Sequence, residues 1–110
     1  MDTNKLLLLL SLVLWIPGCT SLKGERLLKS EQYQDGVATF KNILQEEPQN
    51  PQAHYYLGRF YLALERPEDA LPHLKRAVQG DPAQGDYHFW LGVAYWAIRD
   101  FDLERKSYLQ

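Results

Sequence analysis

The sequence predicts an all-α chain built from repeated helix pairs. Three observations lead there. The chain matches itself at an offset of 34 residues: His54 with His88, Leu57 with Leu91, Gly58 with Gly92, Tyr61 with Tyr95, Ala63 with Ala97 and Pro48 with Pro82. Apolar residues within one period fall at helical spacing, Leu57, Tyr61 and Leu64 at i, i+4, i+7, and then Ala70, Leu74 and Ala77. Small residues recur once per period, at Gly24, Gly58 and Gly92. A glycine inside a helix costs ~1 kcal/mol relative to alanine, so its recurrence implies close helix packing that offsets the cost. Self-similarity at a fixed period of this size marks a solenoid. The competing reading is a non-repeating helical bundle with chance matches.

The elements follow in order. A first, shortened helix is expected over Leu22 to Ser30, and its partner from about Gln34 to Glu46 with Val37, Phe40, Ile43 and Leu44 on the apolar face. Glu47-Pro48 ends that helix, because the residue before proline avoids the helical region. Asn50-Pro51 supplies an N-cap and a first-turn proline for a helix to about Leu64. In Arg66-Pro67-Glu68-Asp69 the two carboxylates suit the positive end of the next helix, a dipole role rather than catalysis. Pro72 is expected to bend that helix, and Gly80-Asp81-Pro82 to stop it. Ala83 to Gly85 is expected as a turn. Asp86 would cap a helix carrying Phe89, Trp90, Leu91, Tyr95 and Trp96. A turn is expected at Arg99 to Phe101, followed by half a helix from Leu103 to Gln110.

These residues resemble the tetratricopeptide repeat, whose period is 34 residues. The pattern of Leu-Gly, an aromatic, a small residue, an aromatic, a second small residue and Pro appears as Leu57-Gly58, Tyr61, Ala70, Leu74, Ala77 and Pro82, with an aliphatic for the second aromatic. A third unit supplies Leu91-Gly92, Tyr95 and Tyr108, with Glu104 where a small residue belongs. A first supplies Gly24, Gly36, Phe40 and Pro48, with Lys23 where Leu is usual. The resemblance implies a right-handed α-solenoid of antiparallel helix pairs with about two and a half to three repeats. They divide as residues 22–48 (partial), 49–82 (complete) and 83–110 (truncated). The expected repeat core is Gly24, Phe40, Leu57, Gly58, Tyr61, Ala70, Leu74, Ala77, Leu91, Gly92 and Tyr95. A last helix that stops before its second small position departs from the capped ends usual in such arrays. We expect a truncated array or an edge covered by another chain, hence self-association through the C-terminal edge.

The N-terminus reads differently. Lys5 precedes an eleven-residue apolar run, Leu6 to Ile16, broken only by Ser11. As a helix it would span roughly 16 Å against ~30 Å of hydrocarbon, too short for a transmembrane span and suited to a signal peptide over residues 1–18. Ile16-Pro17-Gly18-Cys19 resembles a bacterial lipobox. The resemblance implies cleavage before Cys19, a covalent lipid on that residue and a short linker over residues 19–21. Thr20 resembles the signal for the outer membrane, so the expected place is the bacterial envelope, facing the periplasm. Plain secretion into the periplasm or beyond, or an uncleaved anchor, are the alternatives. With Cys19 the only cysteine, an intramolecular disulfide is excluded.

With 110 residues, 45% apolar and 24% charged, the composition suits one small folded domain. The net charge of −2 and the lack of a basic run argue against nucleic acid as partner. His54 and His88 occupy equivalent places and could approach each other, yet two histidines make a poor metal site, so no metal or other cofactor is expected. His73 is expected on an outer, solvated face. No Ser–His–Asp or Cys–His arrangement, phosphate loop or HExxH occurs, and a non-enzyme is expected.

In the tetratricopeptide family the first helix of each unit lines a concave groove that holds peptides. The matching positions here are Gln52, Tyr55, Arg59 and Leu62, then Asp86, Phe89, Val93 and Trp96. The family's carboxylate clamp needs Lys, Asn and Arg, and Arg59 alone hints at it. An apolar segment with one acidic group is the expected ligand, unless part of the stripe is buried by a neighbouring helix. The resemblance thus implies a scaffold that assists assembly of a pilus, secretion or outer-membrane complex. The alternatives are a structural, self-assembling envelope protein or a regulatory subunit of a cell-wall enzyme.

Overall fold

The computed structural model describes residues 18–108; the expected leader, apart from Gly18, lies outside them. Five helices follow one another: α1 Gly18–Lys29, α2 Tyr33–Glu46, α3 Pro51–Ala63, α4 Pro67–Gly80 and α5 Gly85–Tyr108. Among the described residues no strand occurs. Each helix packs on the next, and α3 also touches α1 and α5. The result is an α-solenoid with α1, α3 and α5 in one row and α2 and α4 behind it. No helix among the described residues is long and apolar enough to cross a membrane.

The first two units reverse direction in the same way. At Glu31 and Glu65 the backbone enters the left-handed region, with φ of 57° and 59°. The Gln32 N–H then donates to Leu27 O at 3.0 Å and the Glu31 N–H to Leu28 O at 3.2 Å. The Arg66 N–H donates to Tyr61 O at 2.8 Å and the Glu65 N–H to Leu62 O at 3.0 Å. Both are Schellman turns, which satisfy the last helical carbonyls. Arg66 then lies 5.0 Å over the Tyr61 ring, packing that replaces the usual apolar contact of such turns. The helix α3 starts as expected, with Asn50 Oδ1 accepting from the Ala53 N–H at 3.2 Å and Pro51 in the first turn. The helix α4 continues through Pro72.

The core lies around α3. Phe40, Ala53, Leu57, Phe60, Ala70, Leu74 and Ala77 have no solvent contact, and Tyr61 is buried beside them. A Cβ on Gly58 would lie 2.5 Å from Leu74 Cγ, and one on Gly24 or Gly36 would collide with the ring of Tyr56 or Phe60. Those three glycines are therefore set by helix contact. The Phe40 ring meets Tyr56 at 5.3 Å and Phe60 at 5.6 Å.

The third unit departs from expectation. No turn forms at Arg99 to Phe101, and α5 runs on as one helix to Tyr108. Phe101 replaces the Pro67 of the preceding unit, and no Gly or Pro stands between Gly92 and Tyr108. Glu104 falls in the column of Gly36 and Ala70, where folding back would bury a carboxylate at a desolvation cost. Gly92 and Tyr95 are consequently outside the core. A Cβ on Gly92 would meet nothing within 4 Å among the described residues, Tyr95 is 48% exposed, and Leu91 is half-buried. Two smaller differences concern helix starts. Residues 19–21 are part of α1 rather than a linker, and Asp86 lies within the first turn of α5 rather than ahead of it.

Candidate binding surface

The row α1, α3, α5 presents the residues expected to line a groove, but unequally. Tyr55 is 6% exposed, with the Tyr87 ring 4.6 Å away. Gln52, Arg59, Leu62 and Val93 are half-buried, and Asp86 is exposed. Phe89 and Trp96 are 64% and 66% exposed, although Phe89 meets Trp90 edge-on at 5.4 Å. The third unit covers Tyr55, whereas nothing among the described residues covers the same column at Phe89.

Arg59 is committed within the chain. Its Nη1 donates to Glu25 Oε1 at 3.1 Å and to Tyr55 Oη at 3.3 Å. The guanidinium lies 4.5 Å from the Trp90 ring and 5.5 Å from the Tyr55 ring. Glu25 Oε1 also accepts from Tyr56 Oη at 3.1 Å. Three helices are tied together at one point: α1 by Glu25, α3 by Arg59 and α5 by Trp90. Burial pushes the Tyr56 phenol up to about 12, with the Glu25 carboxylate adding to it. Burial also raises Tyr55, against the lowering pull of Arg59, and raises Tyr87. These hydroxyls therefore stay neutral at physiological pH. Glu25 thus answers the Arg59 charge within the chain, and the large apolar side chains that this row exposes on α5 are aromatic. Glu25 stands 34 residues before Arg59 and so shares its column, the signal by which the pair was findable in the sequence. Trp90 and Tyr87, off the expected stripe, carried no such signal.

The histidines sit behind this row. His54 Nε2–H donates to Pro48 O at 2.9 Å, and His88 Nε2–H to Pro82 O at 2.8 Å, one arrangement repeated at the period. Because a carbonyl only accepts, Nε2 carries the proton and Nδ1 of His54 is left as the acceptor. It receives Nδ1–H of His73 at 3.0 Å, with the rings stacked at 5.2 Å. His54 therefore meets His73, not His88, and His73 is half-buried rather than solvated. Burial holds His73 down at about 4, helped by neighbouring His54 and the positive charges of Arg76 and Lys41, against the opposite pull of Asp69. Lys41 and Arg76 flank the pair in one cleft, a poor setting for a metal cation. Among the described residues no cluster of three His, Cys, Asp or Glu occurs.

Comparison with the curated proteins and with the solved structures gives no match. Residues 27–88, more than half of the chain, match the family model described as tetratricopeptide repeat. That span contains both Schellman turns, the Gly58–Leu74 contact and the Asn50 cap. Such repeats are protein-interaction modules, generally without catalysis. The chain belongs to the tetratricopeptide repeat family.

Proposed function

We propose that this module is a non-catalytic adaptor that holds an apolar peptide segment of a partner protein on the α3–α5 side of its inner row. One observation carries the reading: Phe89 and Trp96, large aromatics of the kind that dominate interface energy, stand exposed beside the half-buried Val93 and Leu62. Two exposed rings on one rigid helix provide anchoring area with little loss of side-chain entropy.

The adaptor works at the bacterial envelope. The apolar run ending in Ile16-Pro17-Gly18-Cys19 supports a cleaved leader and a lipid on Cys19, with the module facing the periplasm. Its role there is to bring partners together during assembly of a pilus, a secretion channel or an outer-membrane protein. The mass of the mature N-terminal peptide tests the anchor: an unmodified Cys19 or an intact leader would reject it. Capture from envelope extract with Phe89→Ala/Trp96→Ala beside wild type tests the surface. The double variant is expected to lose at least about tenfold in partner binding, the loss of ~1.4 kcal/mol or more. Retention of every partner would reject the surface.

A further inference from the structure

Among the described residues no helix packs on the face of α5 centred on Gly92, where Lys75 of α4 reaches only the Tyr95 ring, 5.7 Å from its centroid, and the sequence of that face indicates what covers it. Gly85, His88, Gly92, Tyr95 and Arg99 recur at alternating spacings of three and four, with Phe89 and Trp96 on one flank, and all seven are exposed. The equivalent residues of α3, Pro51, His54, Gly58 and Tyr61, form the seat of α4, while Glu65, the counterpart of Arg99, lies in the turn beyond α3. There Leu74 lies against Gly58, and Gly80 closes on Pro51, where a Cβ would come within 2.9 Å. In the third unit the straight run of α5 leaves the corresponding seat unfilled among the described residues.

We propose that the seat is filled by α5 of a second copy of this chain, antiparallel and crossing at Gly92. The strip is self-complementary about that residue. In an antiparallel pair centred on Gly92, Tyr95 comes opposite Phe89 of the second copy, and Trp96 opposite His88. Aromatic faces aromatic at both ends of a two-fold symmetric contact. Gly92 at the crossing lets the two backbones approach as Gly58 does for Leu74. The rival occupant, a helix of another protein, has no such counterpart in this chain. Phe89 and Trp96 border this face, so pairing competes with the peptide surface proposed above; Gly92 belongs to pairing alone.

Disulfide trapping on the full chain in mild detergent tests the pairing, with Cys19→Ser removing the native thiol. Gly92→Cys is expected to give a covalent dimer under mild oxidation. Asp102→Cys, exposed ten residues further along the same helix, is not, because in the antiparallel pair the two copies of position 102 lie roughly 30 Å apart along the axis. Ready cross-linking at 102, or none at 92, overturns the proposal. Light scattering gives a second reading. Gly92→Glu should abolish the dimer while partner capture through Phe89 and Trp96 persists, which separates this proposal from the adaptor reading.

Discussion

The helices α3 and α5 carry the same repeat signature and end up in different surroundings. In the central unit Gly58 receives Leu74, His54 receives the Nδ1–H of His73, and Tyr61 is buried under Arg66. In the third unit Gly92 meets open space among the described residues and Tyr95 is half exposed. His88 repeats the bond to its proline carbonyl, yet has no His73 stacked on it. The difference lies in the residues that follow each helix. Glu65, Arg66 and Pro67 reverse the chain and bring small and aliphatic residues back over the glycine. Arg99, Asp100 and Phe101 continue the helix. A repeat consensus on one helix therefore describes a surface that is ready for a partner, and the partner helix decides whether that surface becomes core.

The largest expected effect contrasts the two units directly. Leu74→Ala, which empties the space against Gly58, should cost about 2–5 kcal/mol, whereas Tyr95→Ala on the open unit should cost less than about 1 kcal/mol. Urea unfolding of both variants checks this, and equal losses would erase the distinction between the units. Next come the glycines themselves. Gly58→Val should destabilise by about 1–3 kcal/mol through overpacking against Leu74. Gly92→Ala in dilute monomer should stabilise by up to about 1 kcal/mol, the helix-propensity gain. Opposite signs sharpen the comparison, and a loss at Gly92 in the monomer would break it.

The smallest effect concerns the histidine pair that only the central unit completes. His73 is held at about 4 in the folded chain, against an ordinary value near 6.5. Between those values the unfolded chain binds more protons, so stability is full above about pH 6.5 and falls as the pH drops toward about 4. After discounting for the partial exposure of the ring, the loss from pH 7 to pH 5 should be about 1 kcal/mol. His54, Arg76, Lys41 and Asp69 face the ring, so the measurement compares wild type with His73→Asn. The midpoint of thermal unfolding should fall less between the two pH values in the variant. The same slope in both proteins would remove His73 as the cause.

Most of the fold was legible because helix periodicity, proline stops and the 34-residue spacing are local or self-referential signals. The Asn50-Pro51 helix start followed from residue type, and a close helix contact at Gly58 from its recurrence at the period. The surface was less legible. The stripe of Tyr55, Arg59 and Leu62 was readable as a helix face, and the shared column pointed to Glu25, but no pattern revealed that Tyr87 would bury Tyr55 or that Trp90 would close over Arg59. Those contacts join residues on three helices, and their existence depends on how closely successive units stack.

By itself, then, the sequence determined where α2, α3 and α4 begin and end to within a residue or so, which faces they share and which residues are small enough for contact, since each of these depends on neighbours within a few turns. Tertiary structure alone decided that Gly58 is core and Gly92 is surface, that Arg59 is neutralised from within, and that His54 pairs with His73. In each case the outcome rests on whether a second helix returns to cover the first, a balance of turn geometry and burial that a single helix cannot encode.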